Sequence, residues 1–234
     1  MLKHKILIFL AVWKRPQITE ICFMGLSRLK KKFGVYAFAV ISEESMIPLC
    51  EKYGVGWCMH ENEPLGTKKN FGLTQAMKKD FDFLIEVGSD DLLKDEIFNV
   101  YPFDRDVMAL KDFIMINSED GECRRLRDRD AKFGVGRALS RKALESVKCS
   151  DGVYRMWGEK HAHGLDNNSS FRLASKGFLE KRYPSTEPVA IDIKSAVNIW
   201  PFDKKGIEYD FDKAMEGLSI EEVEAIKSLA GVTV

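Results

Sequence analysis

Along its first ninety residues the chain alternates between two hydrophobic periods. Ile6-Leu7-Ile8-Phe9-Leu10-Ala11-Val12 is an unbroken apolar run, the pattern of a strand covered on both faces in a parallel sheet. Pro16 suits the first turn of a helix. Ile18, Cys22, Leu26 and Leu29 then recur at helical spacing, and Lys30-Lys31-Lys32 complements the helix dipole before Gly34 ends it. The same reading predicts a strand over 35–41, a helix opened by Ser42-Glu43-Glu44 and running to about Tyr53, a strand over 55–59, a helix over 67–79 and a fourth strand over 81–87. This order predicts an α/β fold with a doubly wound, mostly parallel sheet. Ligands of such sheets sit beyond the carboxyl ends of the strands.

After the fourth strand the alternation stops. Segments 107–117 and 123–126 flank Glu119-Asp120-Gly121 as a hairpin. Short helices are predicted over 140–147 and 166–176, the latter placing Phe171 and Leu173 near the core, with a late strand over 189–193. Ser219 and Glu222 form a capping box for a last helix ending near Gly231. One domain with an irregular C-terminal half accounts for the pattern, its nucleotide-binding half over about 1–92 and its acceptor-side half over about 93–234.

Composition narrows the class. A formal net charge of zero argues against a protein that lives by wrapping nucleic acid. Cys22, Cys50, Cys58, Cys123 and Cys149 are scattered and include no C-x-x-C pair, which argues against a disulfide framework or a zinc site and for a reducing compartment. The run over 6–12 is too short to span a bilayer and lacks a signal-peptide cleavage site. A cytoplasmic protein is expected.

The strongest candidate chemistry is Gly88-Ser89-Asp90-Asp91, directly after the fourth strand. Adjacent carboxylates at a strand end repel unless a cation or hydrogen-bond donors neutralise them, and a hard divalent ion does so while keeping positions open for phosphate oxygens. The alternative is a helix cap by Asp90 or Asp91. Here the chain resembles the family-2-like glycosyltransferases of the GT-A fold, whose corresponding strand ends in Asp-x-Asp. Gly88 replaces the first Asp, so the ribose or base contact of that residue must be lost or supplied elsewhere. The resemblance implies Asp90 and Asp91 as metal ligands for Mn²⁺ or Mg²⁺, with Ser89 and Asp90 beside the donor.

Other segments carry the resemblance over about residues 4–180. The turn Val12-Trp13-Lys14-Arg15-Pro16 is similar to the family's Asn-Arg-Pro turn and implies donor contacts at Val12, Trp13 and Arg15. Glu43 stands near the position of a base- or ribose-binding Asp. Lys68-Lys69-Asn70-Phe71-Gly72 resembles the basic-x-Asn-x-Gly segment, placing Lys69 and Asn70 at the diphosphate, where a helix N-terminus and cations attract phosphate; a solvated lysine face is the competing reading. The 133–141 stretch reads either as an acceptor floor or as close packing around glycines. Asp166, Arg172 and Gly177 keep the family's spacing, with Leu165 in place of a Glu, and imply Asp166 as the general base of an inverting transfer. Capping of its own helix is the competing role. Trp157 and Glu159 are expected to line the acceptor pocket, since an aromatic face stacks on a sugar or base. His161 and His163 offer imidazoles near the same cation.

The resemblance therefore implies a metal-dependent hexosyltransferase using a nucleotide-diphosphate sugar, a UDP-sugar favoured. The acceptor is a saccharide or, if Arg124-Arg125-Leu126-Arg127-Asp128-Arg129-Asp130 contacts phosphates, a hydroxylated base in DNA. Two rivals stand beside it: a nucleotidyltransferase on a similar fold, and a non-catalytic sugar- or nucleic-acid-binding module.

Overall fold

The computed structural model describes residues 2–127, 133–160, 164–196, 198 and 200–232. The first apolar run forms β1 (Ile6–Val12), and Pro16 opens α1 (Pro16–Phe33). β2 (Tyr36–Ile41) is followed by a 3₁₀ turn over Glu44–Met46, then α2 (Ile47–Tyr53), β3 (Gly56–Met59), α3 (Leu65–Ala76) and β4 (Phe83–Gly88). Ser42 does not open an α-helix: Pro48 fits only the first turn of α2, so the preceding residues tighten into 3₁₀ geometry.

β5 (Asp91–Leu93), α4 (Ile97–Val100), β6 (Val107–Leu110), β7 (Asp112–Asn117) and β8 (Cys123–Arg127) follow. The chain then forms β9 (Arg137–Ser140), α5 (Arg141–Glu145), α6 (Leu165–Ser175), β10 (Lys181–Tyr183) and β11 (Ala190–Lys194). It ends in β12 (Ile207–Glu208), α7 (Phe211–Met215) and α8 (Ile220–Ala230). The Ser219–Glu222 capping box forms as the sequence predicts, and Gly231 terminates α8.

A seven-stranded sheet runs β10-β6-β9-β4-β1-β2-β3. Only β9 is antiparallel to its neighbours. Its two faces sort by the strand period. Ile6, Ile8, Leu10 and Val12 join Ala37, Ala39, Ile85 and Val87 under α1, whereas Leu7 and Phe9 join Phe38, Val40 and Leu84 under α3. α3 presses hard on that second face: a Cβ on Gly72 would lie 2.7 Å from Val40. Helices on both faces make the sheet doubly wound.

The second half is more regular than the sequence suggests. It contributes a second sheet, β12-β8-β7-β11-β5, whose apolar side packs Ile114, Ile116, Ile191 and Ile193 against α1 and α8 through Ile18, Ile21 and Ile226. The apolar stretch 107–117 is not one strand. It divides at Lys111, so that β6 pairs in the first sheet and β7 in the second. Phe171 is 72% exposed, against the expectation that it reaches the core. Leu165, Ser169 and Leu173, four residues apart, form the buried stripe of α6, and Phe171 lies off it.

Candidate active site

After β3 the chain crosses back over β1 through α3, so β4 lies on the opposite side of β1 from β2 and the sheet's order reverses between β1 and β4. This is the switch point where open α/β sheets bind ligands. Ala11 and Gly88 are register partners at its carboxyl edge. Only Ser89 and Asp90 separate β4 from β5, so the acidic pair sits on the seam between the two sheets. A cleft of about 540 Å³ opens there, lined by Arg15, Lys69, Asp90, Asp91, Gly134, Asp166, Asp192 and Lys194.

Asp90 accepts from Arg15 Nη1 at 2.9 Å and Asn198 Nδ2 at 2.5 Å, and Arg15 Nη2 reaches Ser89 Oγ at 3.1 Å. Arg15 is aimed there by a strained turn: Lys14 and Arg15 both adopt left-handed backbone, with φ of 55° and 54°. Such geometry in non-glycine residues persists where surrounding contacts enforce it. Asp91 is buried and accepts from the Gly88 amide. Burial, then the carboxylates of Asp192 and Asp90, push Asp91 well above the ordinary carboxylate range. Asp192 is buried as well; Lys194 Nζ meets its Oδ2 at 2.6 Å, while Oδ1 has no partner. Burial raises Asp192 to about 7, with Lys194 opposing.

Oxygens of Asp90, Asp91 and Asp192 lie within 4.8 Å of one another. Hard divalent cations take such all-oxygen donor sets, and the orphaned Asp192 oxygen is a ligand atom without another use. The residues fit Mn²⁺ or Mg²⁺.

A second charged group in the cleft is built on β4. Glu86 lies opposite Arg137 in the β4–β9 register, and Arg137 Nη2 donates to Glu86 at 2.7 Å and to Ser169 Oγ at 2.8 Å. Nη1 reaches Ser170 Oγ at 3.0 Å. Lys69 pairs with Glu86 from α3 and rests 4.3 Å over the Trp157 ring. Burial would raise Glu86; Lys69 and Arg137 more than reverse that and hold it ionised. Asp166 does not cap α6, whose N-cap is Gly164. Its Oδ2 accepts from the Gly134 amide at 3.0 Å. Burial and then the Glu86 charge raise its pKa above the ordinary value.

The remaining sequence candidates divide. Val12, Trp13 and Glu43 gather at the ends of β1 and β2 but do not line the cleft. The Val12 carbonyl accepts from Lys68 Nζ at 2.5 Å, and Glu43 accepts from the Lys14 amide at 3.0 Å. Asn70 is not free for a donor. Its Oδ1 accepts from the Met156 and Trp157 amides at 2.9 and 3.0 Å, and its Nδ2 donates to the Trp157 carbonyl at 2.9 Å. Trp157 is fully buried and stacks on Phe9, so it is core and not an acceptor platform. Glu159 is exposed and paired with Arg155 at 2.8 Å, outside the cleft lining. Arg172 donates to the Arg155 carbonyl at 2.5 Å, a structural use. Arg124 pairs with Glu122 and Arg125 with Asp112, which leaves them little charge for nucleic-acid phosphates. Asp128, Arg129, Asp130, His161 and His163 lie outside the described residues.

Glu86, Arg137, Asp192, Lys194, Asn198 and Trp200 escape the sequence reading. Two of them left a signal: Glu86 and Asp192 interrupt otherwise apolar strands, where a charge needs a partner or a ligand. Trp200, 39% exposed and stacked on Phe133 at 5.9 Å, lines the cleft together with it.

No protein-family model and no curated protein matches the chain. Solved structures do. The mannosyltransferase PcManGT from Pyrobaculum calidifontis, in complex with GDP-Man and Mn²⁺, superposes with a TM-score of 0.53 at 11% identity, over 85% of this chain and 58% of that one. The chain has a GT-A-like fold. The inositol-1-phosphate CTP transferase from T. maritima superposes with a TM-score of 0.51 at 14% identity over 98% of both chains, so this GT-A-like architecture is shared with nucleotidyltransferases. Among the described residues no helix is long and apolar enough to cross a membrane.

Proposed function

We propose that the protein is a metal-dependent glycosyltransferase that moves a sugar from a nucleotide-diphosphate sugar, a UDP-sugar favoured, to an acceptor hydroxyl. The observation that carries this reading is the pairing, in one cleft at the sheet's switch point, of the Asp90–Asp91–Asp192 carboxylates with a separately held Asp166. When bound at those carboxylates, Mn²⁺ or Mg²⁺ supplies charge stabilisation to the departing diphosphate. Arg15 and Lys69 add positive charge to the same cleft, and Ser89 keeps the strand end small beside the donor. In an inverting course Asp166 takes the acceptor proton as the acceptor oxygen bonds to the anomeric carbon and the bond to the diphosphate breaks. Phe133 and Trp200 offer an aromatic wall to a sugar ring.

Nucleotidyl transfer is the second reading, favoured by the near-complete mutual coverage with the CTP transferase. Products separate the two. Incubation with a panel of nucleotide sugars, nucleoside triphosphates, sugar phosphates and saccharides in Mn²⁺ is expected to release a nucleoside diphosphate. Release of pyrophosphate from a triphosphate would assign nucleotidyl transfer instead, and binding with neither product would leave a binding module.

A further inference from the structure

We propose that β11 supplies a third cation ligand, Asp192, and that loading this site is an exchange in which Asp192 and Asp90 give up Lys194 and Arg15, freeing both cations for the diphosphate. The proposal rests on the cleft being a cation–diphosphate site and adds an order of events to it.

β5 and β11 run antiparallel with Asp91 directly opposite Asp192, and the Ile193 amide donates to the Asp90 carbonyl at 2.9 Å. Like charges directly opposite destabilise a strand pair. Two apolar residues would pack there at no such cost, yet the chain places two buried carboxylates, 4% and 3% exposed. Lys194 neutralises one oxygen of Asp192; the other, Oδ1, is buried with no donor, on a side chain that offers an oxygen within 4.8 Å of those of Asp90 and Asp91. A buried acceptor without a partner is costly, and a divalent cation is the species that satisfies it together with its two neighbours. The three carboxylates come from the β4–β5 connection, the start of β5 and the middle of β11, so the ligand set bridges the sequence's two halves.

The counter-ions give the site its second property. Lys194 is 5% exposed and lies 5.2 Å over the Trp200 ring at the cleft wall, and Arg15 spans Asp90 and Ser89. Both line the same cleft. A cation bound by Asp90 and Asp192 competes with these two side chains for the same oxygens. Once displaced, Arg15 and Lys194 face the cleft as unpaired positive charges beside the ion, where a diphosphate would seat. Cation and diphosphate affinities are then coupled, each strengthening the other.

The test is Mn²⁺ titration monitored by electron paramagnetic resonance of the free ion, with no donor or acceptor, repeated with UDP. Asp192→Asn is expected to bind Mn²⁺ at least about tenfold more weakly than wild type. Lys194→Met is expected to bind Mn²⁺ more tightly, since a competitor is gone, and to lose most of the Mn²⁺-induced gain in UDP affinity. That opposite pair of effects is one that a merely structural lysine would not produce. Wild-type Mn²⁺ affinity in Asp192→Asn would overturn the third ligand. Weakened Mn²⁺ binding in Lys194→Met, or unchanged coupling to UDP, would overturn the exchange, and this variant keeps the proposal testable if Asp192→Asn fails to fold. A wild-type protein that binds no Mn²⁺ would overturn the underlying reading of the cleft.

Discussion

At Gly88 a Cβ would lie 2.5 Å from Asp90 Oδ1 and 3.1 Å from Asp91 Oδ2. The residue that departs from the Asp-x-Asp pattern is therefore the one that lets the two following carboxylates fold back against the strand end. Gly88→Ala is expected to move those oxygens and weaken Mn²⁺ binding by about tenfold with little change in melting temperature; unchanged affinity would show that the carboxylates adapt freely. Asp166 carries a different consequence. Its pKa is raised, so it holds its proton to a higher pH than the ordinary Asp value of about 3.9. A base must be ionised to act, which places the acid limb of kcat/KM above that value, and Glu86→Gln should move the limb to lower pH by removing a neighbouring negative charge. A group whose folded pKa is raised adds stability below its unfolded pKa and loses that contribution as pH rises through the folded pKa. Asp166→Asn is therefore expected to abolish turnover yet raise the melting temperature at pH 7. A limb at the ordinary Asp value, or an active Asp166→Asn enzyme, would remove Asp166 from the chemistry. Asp90 was legible because it follows a predictable strand, and Asp166 through the spacing with Arg172 and Gly177 that carries the family resemblance. Trp157 misled because burial cannot be read from an aromatic side chain in an irregular segment; its neighbour Asn70 clamps that segment into the core.

Among the elements, β9 does the most to fix the cleft. It is the one antiparallel strand of the first sheet, and it brings Arg137 across β4 to Glu86 and down to Ser169 and Ser170 of α6. That single guanidinium, fully buried, ties the helix that carries Asp166 to the strand that precedes Asp90. Arg137→Met would leave Glu86 buried with Lys69 as its sole partner, and breaking such a pair costs about 3–5 kcal/mol. Urea denaturation should show a loss of that size, whereas a loss below about 1 kcal/mol, the range of exposed pairs, would mean that the network is not what fixes α6. Of the first four strands, β1, β2 and β4 were legible as apolar runs buried on both faces, and β3, an edge strand with Trp57 and Met59 exposed, from its place between two helices. Of the second sheet, the β7–β8 hairpin and β11 were legible, but β5, β12 and the pairing that assembles the sheet were not. β5 spans three residues, β12 spans two, and the 107–117 run changes sheets at Lys111 with no proline or glycine to mark the crossing. Strand pairing between β5 and β11 is a contact across almost a hundred residues that local periodicity does not encode.

For the molecule as a whole, two sheets meet at a seam and the chain crosses that seam at Asp90. The first sheet supplies a switch-point cleft of the kind that holds nucleotides. The second closes the cleft with Asp192 and Lys194 on β11. A GT-A-like architecture accommodates both glycosyl and nucleotidyl transfer, so the fold alone does not choose a reaction. The choice lies in the site, and the central claim about that site is that Asp90 and Asp91 hold a divalent cation against a diphosphate. Diffraction from crystals soaked with Mn²⁺ and UDP, collected at the manganese absorption edge, tests it directly. The account predicts an anomalous peak in contact with the Asp90 and Asp91 carboxylates, with the UDP diphosphate on its open side. UDP bound elsewhere, or an Asp90 carboxylate still held only by Arg15 and Asn198 with no manganese beside it, would contradict it.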